Sequence, residues 1–383
     1  MSTFAHSPTA SRSLLAKVQD IAWTVPLVAA LIAMTGVAAL YSTAGGHFEP
    51  WAERHAVRAS VGLTLMLTTA LVPLRWWMRL ANPLYLAVLA MLIAIPVAGT
   101  AQMGARRWLG AGDVSLQPSE FMKVALVLAL ARYYQWLGPD RVSRPLWVAW
   151  PLIMIGGPVM LVLKQPDLGT AMLILAAGLG VVFLAGVRPF YFVLGGLFAG
   201  ALGEFIWPRL QDYQRRRLLT FLDPDRDPLG AGYHIAQSKI ALGSGGLNGR
   251  GFLGGTQSQL NFLPEKHTDF IFTMFAEETG FFGAIALIGL YALLLGWLLA
   301  MAMRSRNALS RLVIAGVGLV FAVHVFVNIG MVTGLLPVVG VPLPLVSYGG
   351  TSMLTLMFGL GLALSAHVHR GDLLRADDTG AFC

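Results

Sequence analysis

Charged residues are scarce in this sequence. Only 12% of its 383 residues are Asp, Glu, Lys or Arg, whereas 56% are hydrophobic; soluble domains carry about 25% charged residues. This deficit excludes a soluble cytosolic enzyme and a nucleic-acid-binding protein, although the net charge is +8. The composition instead indicates a protein that crosses a membrane several times.

Cysteine is almost absent as well. The single residue, Cys383, excludes a disulfide framework and a zinc site built from thiolates. The first 20 residues are polar, and the apolar segment that follows them is too long for the core of a cleaved signal peptide. We therefore expect residues 1–20 to be retained as a cytoplasmic tail.

Long apolar runs, in contrast, are abundant. A helix needs about 20 apolar residues to cross the hydrocarbon layer, and each crossing must be helical because lipid cannot satisfy free backbone groups. Ten such segments are predicted, at residues 21–42, 57–74, 80–99, 119–136, 147–163, 168–187, 189–207, 279–303, 311–334 and 349–369. The predicted fold class is an all-α polytopic membrane protein, with residues 1–383 forming a single domain.

Basic residues in the connections predict the orientation, because cytoplasmic loops are enriched in Lys and Arg. With the N-terminus inside, cytoplasmic segments hold thirteen basic residues and the short outer loops hold five. Both termini are therefore predicted to be cytoplasmic, with residues 370–383 as the second tail. The 61-residue segment 208–268 is predicted to be an extracytoplasmic loop, and loops of that length are usually functional.

Two ionisable residues lie inside the fourth predicted span. Glu120 and Lys123 are three residues apart, so on a helix they share a face and can form an ion pair. Ionisable groups at membrane depth are expensive and usually functional. One interpretation is a pair that only locks helix packing, and the other is a pair that lines a polar cavity; the residues alone leave both open.

A second polar cluster ends the long loop. Asp269 lies between Thr268 and a hydrophobic run, at a predicted membrane border where loss of water raises a carboxyl pKa toward the range of a general base. An Asp at this position is equally typical of a helix N-cap. Asp269 is thus a candidate catalytic residue with a structural alternative.

Three further segments carry weaker signals. Asp223, Asp225 and Asp227 alternate, but without the longer ligand series of a calcium loop. The glycine-rich segment 243–251 lacks the lysine of a phosphate-binding loop, which favours tight turns near a lipid-linked substrate or a flexible crossover. The arginines at 215–217 suit phosphate head groups or interfacial anchoring equally well.

The segment 336–352 contains several prolines and glycines, which exclude a regular helix. Non-helical backbone at membrane depth is tolerated only where it is buried in protein or lines a wet cavity. We expect this proline-rich segment to line a cavity beside Asp269.

The same segment carries a family resemblance. Residues 328–352, with Pro337, Gly340 and the run Ser347-Tyr-Gly-Gly-Thr-Ser352, closely resemble the signature of the SEDS family of shape, elongation, division and sporulation proteins. The resemblance extends over nearly the whole chain. Residues 228–246, the run Gly254-Gly-Thr-Gln-Ser-Gln259 and the run Leu263-Pro-Glu-Lys-His-Thr-Asp269 are similar to the RodA branch of that family.

The resemblance implies an enzyme of the bacterial cytoplasmic (inner) membrane, a peptidoglycan glycosyltransferase that polymerises lipid II at the outer face during cell elongation. It also implies two kinds of partner, a class B penicillin-binding protein that crosslinks the glycan and the elongation machinery. Asp269 corresponds to the family's catalytic residue. The implied substrate cavity is lined by Glu120, Lys123, Arg107, Ser347, Lys266 and His267.

The chemistry that this implies is one inverting displacement. Asp269 would take the proton from the 4-hydroxyl of the acceptor while undecaprenyl pyrophosphate leaves the donor. A divalent cation, Mg²⁺ or Mn²⁺, is expected by analogy only, to offset the pyrophosphate charge. A retaining reaction would need a second carboxylate as nucleophile, for which Glu277 and Glu278 are the open candidates.

Two functions of other classes compete with this one. A lipid II flippase would also use many helices, buried charges and broken loops, but should carry midplane charges and an inverted repeat. A non-catalytic scaffold for the penicillin-binding protein would leave Glu120 and Lys123 with packing roles only. The gathering of unusual residues on the predicted outer side favours the enzyme.

Overall fold

The computed structural model describes residues 13–102, 105–111, 114–209, 212–223, 230–259, 263 and 265–370. Most of both predicted tails, Cys383, Asp225 and Asp227 lie outside the described residues. The described chain is mainly helical. Its helices are α1 (Leu14–Gln19), α2 (Thr24–Thr43), α3 (Ala52–Leu71), α4 (Leu74–Ala98), α5 (Pro118–Leu137), α6 (Pro145–Lys164), α7 (Leu168–Leu184), α8 (Pro189–Ala201), α9 (Gly203–Ile206), α10 (Asp212–Leu222), α11 (Ala231–Ser244), α12 (Thr256–Gln259), α13 (Ile271–Arg304), α14 (Ala308–Thr333) and α15 (Gly350–Val368).

The apolar helices confirm a multi-pass membrane protein. Each of the ten predicted segments contains a helix. Six of the described helices, α2, α4, α6, α13, α14 and α15, are long and apolar enough to cross a membrane, and α7 and α8 are shorter apolar helices. Helices α3 and α5 carry more polar residues. Helix α5 tolerates them because it is buried over almost its whole length and lies against α4, α7, α14 and α15.

The prediction of an all-α protein is wrong in one place. Between α4 and α5 the chain forms an antiparallel three-stranded sheet in the order β1 (Thr100–Gln102), β2 (Ala105–Ala111) and β3 (Val114–Leu116). Strands β1 and β3 have only three residues each, and the seven residues of β2 do not alternate between apolar and polar, so hydrophobic periodicity does not reveal them. The connection between the two spans is short, and its strands pair with each other. This pairing satisfies the hydrogen-bonding groups of its backbone.

The predicted long loop also contains helices, since α10, α11 and α12 all fall within residues 208–268. Helix α11 packs against α13 and α14. The Ser238 hydroxyl lies 2.8 Å from the Thr273 hydroxyl and donates to the Val332 carbonyl at 2.7 Å. This part of the loop is therefore anchored to the bundle and does not form a free crossover.

The eighth predicted span begins too late. Helix α13 starts at Ile271 and is broken at Gly280, where φ is +70° and ψ is −166°. Glu277 and Glu278, which the prediction left outside the span, lie buried in the first part of α13. Their burial is tolerated because polar groups of neighbouring segments donate to both carboxylates.

The glycine-rich segment closes over this break. The amides of Phe281 and Phe282 donate to the carbonyls of Gly246 and Leu247 at 2.9 and 3.2 Å. In the other direction, the Arg250 amide donates to the Glu277 carbonyl at 3.0 Å. The backbone groups released by the break are thus satisfied by the segment 245–251, so this segment has tight turns and a structural role.

Gly280→Ala is expected to destabilise the protein strongly. A Cβ at this residue would lie 2.2 Å from the Gly249 amide nitrogen, and its φ of +70° is strained for any residue with a Cβ. Together these effects should lower the free energy of unfolding by about 2 kcal/mol or more, seen as a lower melting temperature in detergent. The control is Gly289→Ala, also in α13, whose Cβ would meet nothing within 4 Å; equal melting of the two variants would contradict the role of the break.

Candidate functional site

Asp269 lies where the long outer segment meets α13. Its backbone carbonyl accepts a hydrogen bond from Asn328 Nδ2 at 3.0 Å. Burial of the carboxyl group raises its pKa to about 7, with the nearby charges of Glu265 and Asp167 adding to the increase and Arg217 opposing it. At neutral pH a large share of the Asp269 carboxyl groups is therefore ionised. A pKa close to the pH of the solvent suits a group that accepts and returns a proton.

The N-cap interpretation of Asp269 is wrong. The N-cap position of α13 is Phe270, and no side-chain hydrogen bond caps this helix within the described chain. The carboxylate is thus not committed to the helix that follows it.

The proline-rich segment packs against the Asp269 loop as expected, and that it lines a cavity there stays a prediction. Ser347 Oγ donates to the Thr268 carbonyl at 2.5 Å and accepts from the Leu343 amide at 2.7 Å. The Tyr348 amide donates to the His267 carbonyl at 2.9 Å. The Ser347 hydroxyl is therefore fully used in joining two backbone segments, at Thr268 and at Leu343. Its role at the site is to position the backbone.

Gly340 makes the close approach possible. Its φ is +72°, and a Cβ on this residue would lie 3.3 Å from Asp269 Oδ2. Asn328 holds the same turn, because its Nδ2 donates to the Val341 carbonyl at 2.7 Å as well as to Asp269. One buried amide thus joins α14, the proline-rich segment and the candidate catalytic residue.

A second carboxylate near the site was missed by the sequence analysis. Asp167 caps the start of α7, accepting from the Thr170 amide at 3.1 Å and from the Thr170 hydroxyl at 2.9 Å. Gln117 Nε2 also donates to it, at 3.3 Å. The only signal in the sequence was an Asp ahead of a helix, which predicts a cap and does not predict a neighbour 102 positions away in the chain.

Arg107 is brought to this carboxylate by β2. Its Nη1 lies 3.7 Å from Asp167 Oδ2, its Nε donates to the Gln165 carbonyl at 3.0 Å, and its Nη2 donates to the Pro166 carbonyl. The side chain remains 29% exposed. A fixed, partly exposed guanidinium of this kind is suited to binding phosphate oxygens.

Glu120 and Lys123 form the predicted ion pair inside the bundle. Lys123 Nζ lies 2.7 Å from Glu120 Oε1, and both side chains are almost fully buried. Lys123 Nζ also lies 2.6 Å from His324 Nε2, while His324 Nδ1 lies 2.7 Å from the Val320 carbonyl. These partners fit a neutral His324 that accepts from Lys123 through Nε2 and donates through Nδ1.

His324 lies on the same helix as Asn328, which contacts the Asp269 loop. Asn328 follows it on α14 by four residues, one helical turn or about 6 Å, and Asn328 contacts the Asp269 backbone. His324 was not predicted, because it lies in the ninth span without a polar neighbour in the sequence.

Lys266 and His267 face the start of α3. The His267 ring stacks on Trp51 with 4.6 Å between centroids, and Lys266 Nζ lies 5.8 Å from the centroid of the same indole. Burial lowers the pKa of both side chains. Arg58 lies over Tyr348 at 4.7 Å, so a layered group of cations and aromatic rings flanks the Asp269 loop.

Glu277 and Glu278 are engaged elsewhere. Glu277 Oε1 accepts from both the amide and the hydroxyl of Thr256 at 2.9 Å. The Glu278 carboxylate accepts from Ser42 Oγ. Both groups therefore hold the segment around α12 and the end of α2, which disfavours either of them as the nucleophile of a retaining reaction.

The protein offers few ligands for a metal ion near Asp269. Within the described ranges, no group of three His, Cys, Asp or Glu side chains is arranged to hold a metal. The charges of Asp167 and Glu265 reach Asp269, but these carboxylates are not arranged as such a group, so the residues present do not fit a cation site formed by the protein alone. The expected Mg²⁺ or Mn²⁺ stays a prediction by analogy.

The sequence model of the FtsW, RodA and SpoVE family, described as cell cycle proteins, matches residues 18–372. The chain is 46% identical over 320 residues to the peptidoglycan glycosyltransferase MrdB of Escherichia coli K12, covering 83% of this chain and 86% of MrdB. It is 38% identical over 317 residues to a probable peptidoglycan glycosyltransferase FtsW of Coxiella burnetii, covering 81% and 84% of the two chains.

Two solved structures are similar to the whole fold. One is a chain of a peptidoglycan synthase complex, described by its coordination of polymerization and crosslinking, with a TM-score of 0.79 and 36% identity over 91% of this chain and 98% of that chain. The other is the rod shape determining protein RodA of Thermus thermophilus, with a TM-score of 0.70 and 32% identity over 92% and 98% of the two chains.

Proposed function

The chain belongs to the FtsW, RodA and SpoVE family of cell cycle proteins, and on this premise we propose that it is a peptidoglycan glycosyltransferase that polymerises lipid II during cell elongation. The observation that carries the proposal is Asp269, whose carboxyl group lies beside a non-helical segment with its pKa raised to about 7. The test is polymerisation of lipid II by the purified protein, alone and with its crosslinking partner. If no glycan forms either without the partner or with it, the proposal is contradicted.

The reaction is an inverting displacement with Asp269 as general base. As the 4-hydroxyl oxygen of the acceptor attacks the anomeric carbon of the donor, its proton passes to an Asp269 carboxylate oxygen. The bond between that carbon and the pyrophosphate oxygen breaks, and undecaprenyl pyrophosphate leaves with the electron pair. The new β-1,4 bond has the opposite configuration to the donor, so one carboxylate suffices.

Basic side chains near Asp269 stabilise the leaving pyrophosphate. Arg107 is held by Asp167 and by two carbonyls while remaining partly exposed, and Arg217 lies close enough to Asp269 to lower its pKa. Preorganised donors of this kind act on charge that develops during the reaction. Glu120 and Lys123 form a buried ion pair within the bundle, Ser347 fixes the backbone at Thr268, and Lys266 and His267 lie against Trp51. We assign all five, with Arg107, to the substrate cavity.

The topology that fits this function has ten crossings in the bacterial inner membrane, with both termini cytoplasmic and residues 208–268 outside. It is supported by the thirteen-to-five distribution of basic residues and by the helix found at each predicted segment. Asp269 then lies at the outer face, where a lipid-linked sugar is presented.

Cysteine labelling tests this topology. In a Cys383→Ser background, a membrane-impermeant thiol reagent added to intact spheroplasts should label Phe48→Cys, whose native side chain is 60% exposed. It should label Asp140→Cys and Arg306→Cys, also at exposed positions, only after the membrane is permeabilised. Labelling of the last two in intact spheroplasts would contradict the orientation.

The proposed partners are a class B penicillin-binding protein and the elongation machinery. Support comes from the similarity to a chain of a synthase complex that couples polymerization to crosslinking. The two competing functions, a lipid II flippase and a scaffold, predict that glycan forms without the Asp269 carboxylate.

A further inference from the structure

A cavity of about 560 Å³ lies between α5, α7, α13 and α14. It opens at the start of α14 and is lined mainly by apolar side chains, among them Leu299, Met303 and Leu312. Leu299 is 57% and Met303 69% exposed, so its mouth faces the apolar surroundings of the bundle. Its volume and its mainly apolar lining are those of a site for a small amphiphilic molecule.

This cavity is remote from the candidate active site. Arg311 lines it, and Asn328, which contacts Asp269, follows 17 residues later on α14. At 1.5 Å per residue the two positions are about 25 Å apart along the helix, close to the thickness of the hydrocarbon layer. The cavity therefore lies at the opposite membrane surface, which is the cytoplasmic one in the proposed topology.

Two hydrogen-bond donors at the cavity lack partners in the described part of the chain. The hydroxyl of Tyr134 is buried without a hydrogen bond, and Tyr134 is only 8% exposed. The exposed Arg311 guanidinium makes no ion pair or hydrogen bond with any described residue. A buried hydroxyl left unsatisfied costs free energy, and a guanidinium pairs well with phosphate oxygens, so both groups favour a ligand that supplies acceptor oxygens.

The electrostatics favour an anion. Arg311 lies in the first turn of α14, where the helix dipole is positive and where no acidic residue is present. Arg304, the last residue of α13, and Arg306, in the connection before α14, precede it in the chain, and the described lining contains no acidic side chain. An apolar helix of a partner protein would leave these donors unpaired, whereas a phosphate group would satisfy them.

From the cavity and its unpartnered donors we infer a binding site for an anionic glycerophospholipid of the cytoplasmic leaflet. The phosphate oxygens accept hydrogen bonds from Arg311 and from the Tyr134 hydroxyl. One acyl chain fills the apolar cavity between α5, α7, α13 and α14. The lipid then bridges the ends of four helices at the surface opposite the catalytic site.

Native mass spectrometry of the full-length protein tests this site. Palmitoyl-oleoyl phosphatidylglycerol is titrated into the protein in mild detergent, with the phosphatidylethanolamine of the same chains as the comparison lipid. We expect one saturable, preferential phosphatidylglycerol adduct in the wild type. Arg311→Gln should weaken its binding about tenfold, because it removes a charge-assisted hydrogen bond, and Tyr134→Phe should weaken it several-fold.

Two further variants make the test specific. Arg306→Gln removes the same charge five positions before Arg311, at a residue that does not line the cavity, and it should change the affinity less than twofold. Ala315→Leu narrows the cavity without changing a charge and should reduce binding at least as much as Tyr134→Phe. Equal losses in Arg311→Gln and Arg306→Gln, wild-type binding by Ala315→Leu, or equal binding of the two lipids would overturn the inference. Each variant is first shown to be monodisperse and to melt like the wild type without added lipid.

Discussion

Asp269→Asn is expected to abolish glycan polymerisation while leaving the protein folded and bound to its crosslinking partner. Asparagine keeps the shape of the side chain but cannot accept a proton at neutral pH, and general-base catalysis typically contributes about 10²- to 10⁴-fold in rate. The measurement is the initial rate of lipid II polymerisation by purified protein with its partner. Asp140→Asn, at an exposed position in the connection before α6, is the matched control and should retain full activity.

The pH dependence gives a second measure of the same role. Only ionised Asp269 can act as a base, and its pKa is about 7, so the rate should fall about tenfold per pH unit below that value. Glu265→Gln removes a negative charge that raises this pKa. The acidic limb of the profile should therefore move to lower pH in Glu265→Gln, with the maximal rate largely retained.

These results separate the enzyme from its two alternatives. If the protein were a flippase or a scaffold, its partner would form the glycan and the Asp269→Asn variant would leave the rate normal. A rate above about a tenth of wild type in this variant would exclude the assigned role of Asp269. An acidic limb that does not move in Glu265→Gln would assign the titration to another group.

Single removals of Glu120 or Lys123 are expected to destabilise the protein more than their joint removal. Either single change leaves one buried charge without its partner, 2.7 Å from where that partner was, and breaking a buried pair costs about 3–5 kcal/mol. Glu120→Gln and Lys123→Met should each lower the melting temperature in detergent, and the double variant should melt above both. Polymerisation should be reduced in all three.

His324 sharpens this comparison. Because Lys123 also lies 2.6 Å from His324 Nε2, Glu120→Gln leaves the lysine one acceptor, whereas Lys123→Met leaves Glu120 without its cation. Lys123→Met is therefore expected to be the less stable single variant. Glu53→Gln, at an exposed position in the first turn of α3, should melt like the wild type; a double variant no more stable than either single one would contradict the buried pair.

Much of the fold follows from the sequence because the bilayer imposes it. A segment of about 20 apolar residues has only one way to satisfy its backbone in lipid, so the positions of the long helices were predictable to within several residues. Glu120 and Lys123 were predictable as a pair because their spacing on one helix places them together whatever surrounds that helix. Asp269 was predictable as a candidate because its motif lies at the end of a hydrophilic segment.

The tertiary structure decided which distant residues complete the site. Asp167 looked like an ordinary cap and His324 like an ordinary core residue, and Asn328 stood out only as the first residue of the family signature. The sequence placed none of them beside Asp269. Their approach depends on how α5, α7 and α14 pack and on the turn at Gly340, which local propensity does not encode. The sequence by itself determined the membrane class, the helices and the candidate base, because these depend on hydrophobicity and spacing along the chain. Only the packed bundle determined the burial that raises the pKa of Asp269, because the segments that cover the carboxyl group and the charges of Asp167 and Arg217 come from elsewhere in the sequence, whereas Glu265 lies four positions away.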